Sequence, residues 1–553
     1  LRIDVSQVFL LPMTQVFLTV LLFSVLFAKG APLQVVHLRV NLQANPTGVT
    51  DAPKLSWKLI SNEKGKHQRG YHILAATSLE KLTEETADLW SAKVLKSAAK
   101  HLISWKGKKL DTNQQVFWKV RVWDESDTIG KWSKPANFVV GGQKSTPVPA
   151  RISHFESSSP ELNQLYTESI TELERRITSF SAKNPSALGS GAEVHRSARA
   201  LLYHFDSAPH LSEWLSLMDR SMNDHGFFPI HPATKKVGPI SSDAAIIVHH
   251  PVWWMSGDSG YPKARWAIYE KYMMAREKLD PKFKGKKWGE LGDTEGATAE
   301  FLDLCYLGFT TRLVRELAIP AEQPLNAIRF QDFASRIQKS FQAQYIDGDG
   351  SLKVNSQTAQ VLALRSAVLT PEQQITVTND LMTALASEGL KVGPIGAHFL
   401  PGVLSLTNNQ NTAIKLLTNL KEGDRKQFIE TGISEWLMSF VAGIDASIAG
   451  FAQLIIAPRI PFDDSLKWVK AHYESQAGTI AVHWQQLPEG GLKVDITVPP
   501  SALARIDLPV KKGQTITEDG KSIHDAAAIE ILRQTDTNVS LVSQSGHYSL
   551  LIK

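Results

Sequence analysis

The spacing of apolar residues changes twice along this chain, and that change limits the available folds more than any other feature. In VFWKVRVWD, residues 116 to 124, Trp118, Val120 and Val122 share one face while Lys119 and Arg121 share the other. This is the period of two expected of a half-buried strand. LSWKL at 55 to 59 and YHILAA at 71 to 76 read the same way, so the economical expectation for 33–142 is a small β-sandwich. QKSTPVPAR, 143–151, is a linker rich in Pro and Ser. Helical signals then take over: Ser159 stands as N-cap, Pro160 at the first helical position and Glu161 at the positive helix end. Leu162, Leu165, Tyr166, Ile170 and Leu173 follow at helical spacing. Thr370 and Gln373 repeat the device as a capping box around Pro371. Many such helices without intervening strands predict paired helices, in a toroid or a solenoid. After Pro458 the period returns to two, with Leu492, Val494, Ile496 and Val498 alternating against Lys493, Asp495 and Thr497. A second β-sandwich is therefore expected over 459–553.

With 553 residues and 43% apolar content, the chain can bury several cores. Lys+Arg 60 against Asp+Glu 55 leaves a net charge of +5, with no basic block long enough to track a phosphate backbone, so nucleic acid is not an expected partner. The stretch from Val16 to Ala28 carries no charge and is followed closely by small residues, Gly30 and Ala31. Residues 1–31 read as a secretory signal peptide, too short after Pro12 for a comfortable membrane span, and imply a secreted or periplasmic protein. Cys305 is the sole cysteine and lies in an apolar helical pattern; it has no disulfide partner within the chain and reads as a buried, inert thiol.

The motifs narrow the chemistry mainly by exclusion. No G-x-S-x-G, phosphate loop or Cys/His cluster occurs. His249 and His250 are adjacent, about 100° apart on a helix, and cannot chelate one ion together. Asp347 and Asp349 begin a calcium-like loop, but Leu352 and Thr358 stand where the glycine and bidentate glutamate belong. No metal and no cofactor is expected. Trp214, Trp253, Trp254, Trp266, Trp288 and Trp436 fall in the helical region; indoles suit both cores and sugar-binding clefts. The chemistry then rests on carboxylates near turns: Glu193, Asp243, Glu290, Asp293, Glu295, Glu422, Asp424 and Glu430. Glycoside hydrolysis needs two, an acid for the leaving oxygen and a base or nucleophile.

The order of segments resembles one family, the bacterial α-L-rhamnosidases. NLQANPTGVTDAPKLSWKL, RGYHILAATSLEKL and QVFWKVRVWDESDTIGKWSKPANFVVG are similar to its N-terminal fibronectin-type module. ISHFESSSPELNQLYTESI, ARALLYHFD, SDAAIIVHHPVW, TAEFLDLCYLGFTTRLVREL, NSQTAQVLAL, GPIGAHFLPGVLS and ISEWLMSFVAGID follow in the order of its helical barrel, and LKWVKAHYESQAGTIAVHWQQLPEGGLKVDITVPP resembles its C-terminal β-domain. The resemblance implies a multidomain fold: an all-α (α/α)6 barrel over 152–458 flanked by N- and C-terminal β-sandwiches. It also implies inverting hydrolysis of a rhamnose-containing carbohydrate, with Asp243, His250, Trp288 and His398 binding the sugar at one barrel mouth alongside Asp293. Three departures stand beside it. The family's acidic loop D-C-P-x-R-E-x-L-G-W-x-G-D is here KNPSALGSGAEV, with Lys183 at the first acid, a deletion at the middle one and Glu193 near the last. The segment that carries a Trp-Glu motif in the family is shortened to KEGDRKQFIETG. The sandwich domain expected between the first module and the barrel has no counterpart. The remaining acid–base set is Glu193 or Asp293 as acid and Glu430 as base. Alternatives from other classes are a catalytically silent carbohydrate-binding homologue and a lyase acting on rhamnose-linked uronic acid.

Overall fold

The computed structural model describes residues 33–50, 52–142, 148–461, 463–488 and 490–553; the expected signal peptide lies outside the described residues. The N-terminal strands form a sandwich. Gln34–Val40, Lys54–Ile60 and Ile103–Ser104 make a three-stranded sheet, while Trp90–Val94, Gln68–Ala76, Gln115–Asp124 and Ala136–Val139 lie in that order in a four-stranded one. The pairing Tyr71↔Val122, Ile73↔Val120 and Ala75↔Trp118 brings the alternating apolar residues onto one face. That face closes with Trp57, Leu55 and Phe138 into a core of its own.

Among the described residues thirteen α-helices follow, counting the last with its π-helical continuation as one; six are inner helices, each reached through one outer helix except the sixth, which follows two, Gln410–Thr418 and Glu422–Glu430. The inner ring is Gly191–His204, Asp243–Ser256, Ala299–Ala318, Gln357–Arg365, Pro394–Leu406 and the short Ser434–Trp436, which runs on as a π-helix over Leu437–Val441. Asp243–Ser256 is buried on nearly every side, as a helix inside a ring of helices must be. The ring closes through side chains of the sixth member: Arg199 Nε lies 3.2 Å from Glu435 Oε1, and Trp436 Nε1 donates to Ser405 Oγ at 2.8 Å. The sixth begins partway along the first, with Gly432 against Arg196 and Ala200. Helix starts are set by local chemistry: Thr298 and Ser356 cap the third and fourth inner helices through their hydroxyls, and Thr370 and Gln373 form the expected capping box on an outer helix.

The C-terminal region is a two-sheet sandwich, but its strands reach outside 459–553. The seven-stranded sheet ends in Ser153–Ser157, which pairs antiparallel with Trp468–Glu474. The five-stranded sheet includes Ile444–Ala446 and Gln453–Ile456, the latter parallel to Leu503–Pro509. The barrel range read from periodicity, 152–458, thus holds three strands of the neighbouring domain; they are three to five residues long, too short for a period of two to be seen. Trp484 Nε1 donates to Val441 O at 2.9 Å, and barrel and C-terminal domain share one continuous core. Among the described residues, no helix is long and apolar enough to cross a membrane.

Candidate active site

The loop before the first inner helix holds Glu193 in a specific task. Ser190 is the N-cap; its N–H and hydroxyl donate to Glu193 Oε2 at 2.7 and 2.8 Å, and the Glu193 N–H donates back to Ser190 Oγ. This is a complete capping box. Burial pushes the Glu193 carboxyl up, but the Ser190 hydrogen bonds and the charges of Arg176 and Arg196 outweigh it, leaving it below the ordinary glutamate value. The acid role expected for Glu193 thus meets an electrostatic setting that keeps it ionised.

Asp243 opens the second inner helix and is fully buried. Its Oδ1 accepts from Tyr272 Oη at 2.7 Å and from Arg276 Nη1 at 2.5 Å, and Oδ2 from the Ile240 N–H at 3.1 Å. Arg276, also buried, reaches Asp303 with its other nitrogen at 2.6 Å. Asp303 accepts in turn from Trp288 Nε1 at 2.8 Å and from the Lys286 N–H at 2.9 Å. Asp243 and Trp288 are therefore linked through Arg276 and Asp303, but Asp243 is consumed by this network, which anchors the loop that carries Asp293. Asp293 is exposed, and its Oδ1 accepts the Glu295 N–H at 2.9 Å.

His398, on the fifth inner helix, lies edge-on to His195 of the first, with ring centroids 5.2 Å apart. A His398 ring nitrogen, Nδ1, is 3.1 Å from Thr431 O, and His195 Nε2 is 3.2 Å from Tyr306 Oη. His250 belongs to another group: seven residues beyond Asp243, it is about 10 Å further along the helix, where Nε2 meets Glu316 Oε2 at 2.8 Å. Glu430 ends an outer helix, half exposed, 3.7 Å from Lys426 Nζ. It lines a shallow groove with Thr167, Glu168, Thr171 and Glu172 of the first outer helix. The expected sugar-binding set is thus divided between a buried network, a histidine pair and a third cluster deeper in the barrel.

Two carboxylates outside that set are the more constrained ones. Glu295 caps the fifth inner helix: its carboxylate accepts from the N–H groups of Gly393, Ile395 and Gly396 at 2.7–3.0 Å and from Thr358 Oγ1 at 2.7 Å. A Cβ at Gly393 would sit 2.3 Å from the Glu295 carboxyl carbon, so the glycine is required for the approach. Replacing Glu295 by alanine is expected to cost about 2–3 kcal/mol, because four donors lose a charged acceptor; urea denaturation of both proteins measures it. Glu435 begins the sixth inner segment, beside Arg199, which also holds Asp445 Oδ2 at 2.8 Å. Burial raises the Glu435 carboxyl, the Arg199 charge opposes this, and the net displacement is upward. Only the adjacency of Glu435 and Trp436 in ISEWL marked this position in the sequence, and nothing local announced Arg199 as its partner.

A sequence profile of the bacterial alpha-L-rhamnosidase 6 hairpin glycosidase domain matches residues 150–432. The chain belongs to the bacterial α-L-rhamnosidase family. Profiles of the Rha78A-like N-terminal immunoglobulin domain and the bacterial alpha-L-rhamnosidase C-terminal domain match 35–143 and 443–522. An alpha-L-rhamnosidase of Streptomyces avermitilis is 25% identical over 435 residues, covering 67% of this chain and 40% of that protein. One from Formosa agariphila is 37% identical over 103 residues, 18% of this chain and 11% of that one. The chain thus spans less than half the length of these curated relatives. The fold is that of two solved structures: the alpha-L-rhamnosidase of Dictyoglumus thermophilum (TM-score 0.82, 12% identity, 95% of this chain and 99% of that one) and that of Streptomyces avermitilis complexed with L-rhamnose (TM-score 0.83, 12% identity, 94% and 100%). Within the family fold, Glu193 and Asp243 stand at the starts of the first and second inner helices, whereas Glu435 lies beside Arg199, some way along the first.

Proposed function

We propose that the chain is an α-L-rhamnosidase-like glycoside hydrolase that removes terminal rhamnose from oligosaccharides, polysaccharides or glycosides outside the cytoplasm. The observation that carries this is Glu435: a carboxyl on the first turn of an inner helix, in a barrel of this family, displaced upward by burial against the Arg199 charge. An upward displacement suits a general acid for the leaving oxygen. A second, ionised carboxylate then takes the proton of a water on the opposite face of the sugar, giving inversion. Glu193, Asp293 and Glu430 are the carboxylates proposed for that role, and the ionised state of Glu193 fits it better than the acid role.

A second reading, a silent rhamnose-binding protein, is favoured by one specific observation: Glu193 and Glu295 both spend their oxygens on helix caps. An aryl α-L-rhamnoside assay across pH separates the two. Glu435→Gln is expected to lower kcat at least about a hundredfold, and one of Glu193→Gln, Asp293→Asn or Glu430→Gln should do the same. If the parent binds rhamnose but shows no turnover, the protein is a binding homologue.

A further inference from the structure

We infer that the end of the barrel where the third and fourth inner helices finish holds a second site that takes the carboxylate or sulfate group of an acidic saccharide. Arg365 is the last residue of the fourth inner helix, and Arg312 lies in the final two turns of the third. Both guanidiniums lie 5.2 Å from the centroid of the Phe309 ring. Two like charges sharing one phenyl ring call for counter-charge, and little is present. Among the described residues no carboxylate lies within ion-pair distance of Arg365, whereas Glu316 Oε1 is 3.7 Å from Arg312 Nη1. The other oxygen of Glu316 is already engaged by His250 at 2.8 Å. Among the described residues Arg312 Nε has no hydrogen-bond partner.

The place is partly exposed as well as charged. The side chains of Arg312, Glu316 and His250 keep 27%, 35% and 15% exposure although they sit on inner helices, and Arg365 and Trp254 are partly exposed. The negative helix ends help collect cations here, but they give neither guanidinium a planar acceptor. A carboxylate or sulfate does, by accepting two parallel N–H bonds from a guanidinium fork. Trp254, stacked on His250 with planes 17° apart, adds an indole against which the apolar face of a sugar ring can lie. Glu435 and Arg199 act on Arg365 only through space. The site thus borders the carboxyl on which the hydrolase reading rests, but it would hold its ligand through Arg365 and Arg312, which that reading does not use.

Calorimetry on the full chain tests it, with glucuronate, a sulfated monosaccharide and neutral glucose as probes, each with saturating L-rhamnose present to occupy the hydrolase site. The expected result is binding of an acidic sugar with no glucose binding, weakened at least tenfold in Arg365→Gln and less in Arg365→Lys, which keeps the charge but loses the fork. Binding of glucuronate alone assigns a carboxylate ligand; binding of the sulfated sugar alone assigns a sulfate. Equal binding of glucose, no binding of either acidic sugar, or acidic-sugar binding unchanged in a folded Arg365 variant overturns the proposal. The rate on a neutral aryl rhamnoside is read separately, so loss of one result leaves the other intact.

Discussion

Replacing Arg276 with methionine is expected to remove about 3–5 kcal/mol of stability, because it strands two buried carboxylates. Asp243 and Asp303 each take one nitrogen of this guanidinium, and all three side chains are at most 1% exposed. An ion pair in such a place gains little over an apolar replacement of the whole cluster, but removing one partner leaves an uncompensated buried charge. Burial already raises Asp303, with the Arg276 charge as the main opposing influence. Lysine should rescue poorly, since a single ammonium cannot bridge both acids as the guanidinium does. The triple variant Arg276→Met, Asp243→Asn, Asp303→Asn should recover most of the loss. Urea denaturation decides: a single variant within about 0.5 kcal/mol of the parent would show that the cluster contributes little. Trp288 also hangs on Asp303, so the same variant should expose its indole and red-shift tryptophan fluorescence before the global transition.

Acid should unfold this protein well above the pH at which its carboxylates titrate, through its buried histidines. Burial lowers His204 and His398 to about 3, and burial with the His398 ring beside it lowers His195 well below its free value. The folded rings stay neutral, whereas the unfolded chain takes up these protons near its free value of about 6.5. Below that pH the unfolded state binds more protons, so stability rises with pH and is lost progressively as pH falls from about 6.5 to about 3. Each ring contributes about 1.4 kcal/mol per pH unit in that window, so His204 and His398 together account for roughly 4 kcal/mol by pH 5. His398→Gln, whose amide can still donate to Thr431 O, should flatten the slope of melting temperature against pH. An unchanged slope in that variant, with its melting point at pH 8 preserved, would remove His398 from the account.

The three-part architecture was legible because it depends on apolar period, and Trp118, Val120 and Val122 carry that period on their own. Capping was legible where a proline followed the cap, at Ser159 and Thr370, and was missed at Ser190, where Gly191 follows and the Glu193 carboxylate invited a chemical reading. The site was harder to read because its partners lie far apart along the chain: Arg276 joins residues 33 positions before it and 27 after, and Glu295 reaches 100 residues ahead to Ile395. No local spacing encodes such pairs. The resemblance pointed to the right segments, yet a segment's position does not say whether its carboxylate is free or, as with Glu295, already committed to a helix end. Glu430, the expected base, illustrates the converse: it lies in the expected segment, and its exposed ion pair is with Lys426.

The short strand Ser153–Ser157 has a practical consequence. It comes before the first barrel helix in the chain but completes the far sheet by pairing with Trp468–Glu474, so the polypeptide crosses from one domain to the other and back like a sewn seam. No single cut releases the last domain as a transplantable module: removing residues after Pro458 bares a strand edge beside the barrel, and the excised piece lacks its seventh strand. Anyone dissecting or recombining such proteins has to treat barrel and C-terminal sandwich as one inheritable unit, and only the N-terminal sandwich, with its separate core, as an exchangeable part.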